Sequence, residues 1–332
     1  MPSFLKSLRY RIEAALVGLG ESWVPAWSRT TLLKAAAFLG DAAYGLDRRG
    51  RETALENLRA VFPERSAAWH RRTARLGYRS FARTMLDLFW TPNLRGSGGA
   101  ALNLLEQEDP AAEEATRATG AIWCCPHFGN FEWIALQMGW RGFPMMVVAQ
   151  NFKNEAITPI FSRLRGASGH TMISSEGAML RLFKNLRRGG HSSFLSDLTV
   201  PPDQAATVIR CFGRFWTSVT MLHAALAQRT GLPVIVMISL PQDDGTYRLK
   251  QWAPRTFPPD ASAQQIAQEI WDLCEPTILQ HPGHWLWMYK HWRFLPPDAD
   301  PAAYPPYANR SGRFDRLLAR EVPADERACP TA

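Results

Sequence analysis

The sequence predicts an α/β protein, a largely parallel mixed sheet flanked by helices, with an N-terminal helical region that associates with a membrane. Two observations carry this. From about residue 100, short apolar runs fit for buried strands alternate with helical patterns, the arrangement that builds a parallel sheet covered on both faces. Before residue 95 the chain reads as helices only. A length of 332 residues with 46% hydrophobic content buries a sizeable core, and one large domain with helical additions suits it.

In order, Phe4, Leu5, Leu8, Ile12, Leu16 and Leu19 recur at helical spacing with Lys6, Arg9 and Arg11 between them, giving a basic amphipathic helix of the interfacial type. Further helices are expected over Thr31 to Leu46, Arg51 to Val61, and Ser66 to Trp90, the last with Leu76, Phe81, Met85 and Leu88 on one side. The run from Leu32 to Leu46 is broken by Lys34 and Asp41 and falls short of the ~20 apolar residues of a spanning helix. Peripheral or monotopic attachment is therefore expected, a single insertion being the alternative. No apolar segment with a small-residue cleavage site follows the basic start, so the chain is expected to stay inside the cell.

Gly96-Ser97-Gly98-Gly99 reads as a break between a helical region at 1–95 and an α/β domain at 100–295. Strands are expected at Ala121 to Cys125, Pro144 to Ala149, Ser192 to Asp197, Val208 to Phe212 and Pro233 to Leu240. Residues 296–332, rich in proline, read as an extended or disordered tail.

Lys and Arg outnumber Asp and Glu by 38 to 30, in clusters such as Arg48-Arg49-Arg51 and Arg71-Arg72-Arg75-Arg79, which point to an anionic partner. Nucleic acid is set aside because no binding motif accompanies the charge. An anionic membrane surface and an acidic carrier protein both fit; a merely solvated surface is the plain alternative. Five cysteines in no disulfide pattern agree with a reducing compartment and packing roles. Thirteen tryptophans include Trp285, Trp287 and Trp292, suited to an acyl groove, a bilayer interface or a core.

The most informative stretch is Cys124-Cys125-Pro126-His127-Phe128-Gly129-Asn130-Phe131-Glu132, where an apolar run turns into a helix. A histidine near its ordinary pKa of about 6.5 is a base at neutral pH, and a carboxylate on its second nitrogen fixes the tautomer. His127 and Glu132 cannot meet within one continuous helix, but can if residues 127–129 turn; Gly129 permits such a turn, and the following helix N-terminus favours negative charge. For each residue alone the plain readings stay open, a helix-capping acid for Glu132 and a loop histidine for His127. Zinc at Cys124, Cys125 and His127 is disfavoured because adjacent strand residues point to opposite faces.

The His-Phe-Gly-Asn-Phe-Glu string resembles the His-x-x-x-x-Asp/Glu motif of the lysophospholipid acyltransferase-like superfamily, in the form typical of lipid A biosynthesis acyltransferases. Also similar are Asn57-Leu58 with Phe62-Pro63-Glu64, Arg165 with Gly169, Ser196-Asp197, Phe212-Gly213 with Thr217, Thr230-Gly231-Leu232-Pro233-Val234, and Trp285-Leu286-Trp287 with Arg293. The resemblance covers about residues 5–295. It implies a membrane-associated O-acyltransferase on the cytoplasmic face of the inner membrane, moving an acyl chain from acyl carrier protein to a hydroxyl of a lipid A precursor without a cofactor or metal. It implies His127 as general base, Glu132 as its partner, and Arg165 and Asp197 as acceptor-binding or site-shaping residues; Gly129 and Asn130, within the matching string, are candidate substrate contacts. Where the family has Asp-Gln and Pro-Glu-Gln, this chain has Asp197-Leu198 and Pro282-Gly283-His284. Those departures touch the acceptor and leave open a same-fold acyltransferase for another glycolipid or phospholipid, using acyl-CoA or acyl carrier protein. A non-catalytic anionic-lipid-binding protein is the alternative of a different class. No Gly-x-Ser-x-Gly elbow occurs, so direct transfer is expected rather than a serine acyl-enzyme.

Overall fold

A computed structural model describes residues 4–94, 98–149 and 152–327. The chain opens with α1 (Phe4–Trp23), α2 (Arg29–Leu46), α3 (Arg48–Val61) and α4 (Ala67–Trp90). Polar side chains start three of them: Ser28, Asp47 and Ser66 accept from the amides of Thr31, Gly50 and Trp69, satisfying donors that a helix start leaves free. α2 packs against α4 through Gly40, where a Cβ would stand 2.5 Å from the Arg79 Cα, so the approach needs glycine. Arg75 and Arg79 both fork onto Asp41 and hold its carboxyl below the usual carboxylate range. Among the described residues no helix is long and apolar enough to cross a membrane.

The α/β region follows. It runs α5 (Gly98–Leu102), β1 (Asn103–Gln107), α6 (Pro110–Thr119), β2 (Ile122–Cys125), α7 (Phe131–Trp140), β3 (Met145–Val148), α8 (Thr158–Arg165), β4 (Thr171–Ile173), α9 (Ala178–Leu186) and β5 (His191–Leu195). A hairpin of β6 (Ala206–Cys211) and β7 (Phe215–Thr220) leads to α10 (Leu222–Thr230), β8 (Val234–Pro241), β9 (Tyr247–Gln251) and α11 (Ala263–Gln280). Seven strands form one sheet in the order β1-β9-β8-β2-β5-β3-β4, all neighbours parallel except β8 with β9.

β2 is central and buried throughout, which its unbroken apolar sequence requires. Ile122 and Cys124 face the layer of Leu182, Leu226 and Ile270, from α9, α10 and α11. Trp123 and Cys125 face the opposite layer, with Leu86 and Leu88 of α4 and Ile134 of α7. Each such side chain contributes about 1.5–3 kcal/mol on burial. The helix after β2 thus covers one face and the helix after the β5 connection covers the other, so the two carboxyl ends open a crevice between them.

Two expectations are corrected, and a third falls partly outside the described residues. The Val208 to Phe212 strand does not join the main sheet; it pairs antiparallel with β7 in a separate two-stranded hairpin. Of the Gly96 to Gly99 break, residues 96–97 lie outside the described residues and Gly98 opens α5. Residues 296–327 are not an extended tail: β10 (Phe294–Leu295) pairs with β11 (Asn309–Arg310), and α12 (Gly312–Glu321) and a short α13 (Ala324–Arg327) follow. The prolines fall mostly in the loops, while Phe314, Leu317 and Leu318 fall three and four apart on α12 and bury against Val208 and Trp216. Glu321 then accepts from the Thr207 hydroxyl and the Val208 amide, fixing α12 to the hairpin.

Phe314→Ala is expected to cost about 3–5 kcal/mol in urea unfolding, the range for truncating a buried phenylalanine; an unstructured tail would give no change. His223 and His291 are buried, and burial pushes both down to about 4. Unfolded histidine titrates near 6.5, so between about pH 6.5 and 4 the unfolded chain binds more protons and stability falls as pH falls, by up to about 1.4 kcal/mol per pH unit for each ring. The depressed carboxyls of Asp41 and Asp197 act only lower, as pH drops through their folded values. Unfolding free energies measured from pH 7 to 5 should therefore decline; a flat profile would contradict this placement of the rings.

Candidate active site

The turn after β2 is shaped by its neighbours. Gly129 has φ +54°, and a Cβ there would stand 1.7 Å from the Ser239 carbonyl oxygen, so glycine is required on both counts. Its amide donates to the His284 carbonyl at 2.9 Å, and its own carbonyl accepts from the Thr84 hydroxyl at 2.8 Å. Asn130 caps α7, its Oδ1 accepting from the Trp133 amide at 3.0 Å while its Nδ2 donates to Asp87 at 2.9 Å. Asp87, wholly buried, also receives Arg29 and the Tyr247 hydroxyl, which ties α2, α4, α7 and β9 together beneath the turn. Gly129 and Asn130, expected as substrate contacts, are therefore held within the protein and serve the turn.

Strand register decides what His127 meets. β2 and β5 run parallel with Ile122 opposite Ser192 and Cys125 opposite Leu195, and the Ser196 amide continues the ladder to the Cys125 carbonyl at 3.1 Å. Two residues farther along each chain stand His127 and Asp197. The ring Nδ1 lies 2.7 Å from Asp197 Oδ1, and the His127 amide donates to Oδ2 at 2.9 Å. Trp285 Nε1 also donates to Oδ2, at 2.7 Å. Burial alone would raise the Asp197 carboxyl, but the His127 ring beside it, with His291 and the Trp285 N–H, holds it below its ordinary value. An ionised carboxylate only accepts, so Nδ1 is the donating nitrogen of this pair. Nε2 makes no hydrogen bond among the described residues, and the His127 side chain is 11% exposed where Asp197 is sealed.

Glu132, expected as the partner of His127, is not bonded to it. As the second residue of α7 it faces α8, where Arg165 donates from Nε at 3.0 Å and from Nη2 at 2.6 Å. The two acids are separated by geometry: the strand register delivers Asp197 to the ring, while the first turn of α7 carries Glu132 to α8. Burial would lower the Arg165 guanidinium, but the Glu132 charge and hydrogen bonds hold it above its usual value. Arg165 borders a cavity of about 80 Å³ shared with Phe152, Phe161, Ser162 and Ser174 at the carboxyl ends of β3 and β4. Its Nη1 makes no hydrogen bond among the described residues.

Two further features were not assigned from sequence. Trp285 is the third donor to Asp197, after the ring and the amide of His127, and its only sequence signal was a place in the tryptophan-rich closing block. Asn57 donates to the Trp287 and Tyr289 carbonyls at 2.8 Å each and so pins that block to α3. Cys124 and Cys125 sit on opposite faces of the sheet, and burial pushes both thiols up, so neither is a ready nucleophile.

Fold and site together define an α/β protein with a carboxylate-held imidazole at the carboxyl edge of a mixed sheet. A family model described as bacterial lipid A biosynthesis acyltransferase matches residues 1–294. The chain belongs to that family and is an acyltransferase with a lipid acceptor. No curated relative matches it.

Proposed function

We propose that the chain transfers a fatty acyl group from acyl carrier protein to a hydroxyl of a lipid A precursor, with His127 as general base and Asp197 as the acid that orients it. The pairing of His127 Nδ1 with Asp197, which leaves Nε2 open, carries this reading. Nε2 removes the proton of the acceptor hydroxyl as its oxygen attacks the thioester carbonyl. The tetrahedral oxyanion collapses, the carbon–sulfur bond breaks, and the departing thiolate takes the proton back from the imidazolium. Asp197 stabilises that imidazolium through its hydrogen bond. The buried, raised cysteines support direct transfer rather than a covalent acyl-enzyme.

Glu132 acts through Arg165. Held side-on by the carboxylate, the guanidinium borders the cavity with Nη1 outside the pair, suited to an anionic group of the acceptor. His127→Ala should lower turnover about 10²–10⁴-fold, the usual contribution of a positioned base. Asp197→Asn should be comparably damaging because an amide leaves the wrong tautomer, and Glu132→Gln should chiefly raise the KM for the acceptor. Labelled acyl carrier protein with purified lipid acceptor measures all three. Undiminished transfer by the Asp197→Asn enzyme would remove the dyad.

The other reading is a different acceptor lipid, and it turns on one departure from the resembled motif beside the site. His284, where the family has glutamine, lies with its ring 5.9 Å from that of Phe128 on the site turn. Lipid extracts from a deletion strain separate the readings: loss of one acyl chain from lipid A supports the first, and loss from another lipid supports the second.

Attachment to the cytoplasmic face of the inner membrane is supported by α1. Leu8, Ile12, Leu16, Leu19 and Trp23 form one exposed stripe, Trp23 being 64% exposed, with Lys6, Arg9 and Arg11 alongside. Phe38 and Leu39 add exposed apolar surface on α2. Leu16→Glu with Leu19→Glu should weaken sedimentation with vesicles containing anionic phospholipid at least tenfold, since each leucine contributes about 1.5–3 kcal/mol on burial. Equal sedimentation would exclude this stripe as the attachment surface.

A further inference from the structure

We propose that Trp285 is a positioning residue whose indole N–H sets the basicity of His127 by restraining Asp197. The proposal rests on the reading of His127 as the base. Asp197 has two oxygens with distinct duties: Oδ1 faces the ring Nδ1, whereas Oδ2 is clamped between the His127 amide at 2.9 Å and the Trp285 indole at 2.7 Å. Rotation of the carboxylate would break both clamps together, so the plane that presents Oδ1 to the ring is fixed.

Trp285 is itself held firmly, and against the segment that carries the base. Its backbone pairs with Phe128, the residue after His127, and the neighbouring Gly129 amide donates to His284. Its ring stacks on His291 at 4.0 Å between centroids and meets Trp287 edge-on at 4.7 Å. Phe212 lies 5.7 Å from it in a left-handed conformation, φ 53°, and the Phe212 amide is bonded to Glu275 of α11. A side chain other than glycine seldom adopts that conformation unless its surroundings enforce it. The hairpin, α11 and the closing block thus converge on one indole.

The N–H also draws charge from the carboxylate. Without it, Asp197 would present a more concentrated negative charge to Nδ1 and favour the imidazolium. The titratable groups that face Asp197 are few. Cys125 of β2, Cys211 of β6 and Cys274 of α11 are thiols that burial pushes up, Tyr289 is raised likewise, and burial pushes His291 down to about 4. None of these changes charge near neutral pH, so a shift seen there belongs to His127.

The test follows the His127 ring by NMR titration in the full-length protein, for wild type, Trp285→Phe, and a variant carrying benzothienylalanine at 285, which replaces only the N–H by sulfur. The His127 pKa should rise by about half a unit when the donor is lost, the acid limb of acyl transfer should move to higher pH with it, and turnover should fall about tenfold. A His127 titration in the benzothienyl variant superimposable on wild type would overturn the proposal, and because that replacement keeps the ring's shape, misfolding cannot imitate the expected shift. A moved titration in an enzyme that never transfers acyl groups would leave the clamp standing and sink the functional reading instead.

Discussion

Register between two parallel strands is the constraint on which the rest depends. β2 and β5 are paired so that residues 70 apart in sequence lie side by side, and the pairing carries past both strand ends to His127 and Asp197. Shifting either strand by one residue would turn its buried face toward the other layer, which the unbroken apolar packing on both sides of β2 resists. The core that stabilises the sheet therefore also fixes the dyad. Helices α7 and α10 leave on opposite faces and open the crevice in which the ring edge is exposed.

Around that pair the molecule is arranged in shells of increasing distance. Trp285 and the His127 amide hold the acid; Asn130, Asp87, Arg29 and Tyr247 hold the turn; Asn57 and the Phe212 hairpin hold the closing block. The segment beyond residue 294, outside the span of the family match, buttresses the same region. Tyr307 bonds to Asn57, the Trp216 amide donates to the Tyr304 hydroxyl, and α12 covers the back of the hairpin. Glu132 and Arg165 form a separate unit on the far side of α7. The two acids thus have different partners: sealed Asp197 holds the His127 ring, and Glu132 holds Arg165 beside the cavity.

Much of the fold was legible in the sequence because the signals were local. The spacing of apolar residues marked the helices of the first ninety residues within a few positions, and apolar runs marked β2, β3, β5 and β8. The turn at His127 and the strand-end position of Asp197 were likewise visible. Their partnership was not, because it depends on which strands are neighbours, and Glu132 lay temptingly near in sequence. β9 is amphipathic and short, β4 has three residues, and the proline-laden C-terminal segment hid the helix α12. In each case the deciding contact comes from distant chain.

The central claim is that Asp197, not Glu132, holds the proton of His127 on Nδ1. Nitrogen-15 spectra of the histidine side chains at neutral pH, with His127 assigned by substitution, measure that tautomer directly. The structure predicts a protonated Nδ1 and a bare Nε2 in the wild-type protein. A spectrum with the proton on Nε2 would contradict it, because Nδ1 would then have no proton to give Asp197.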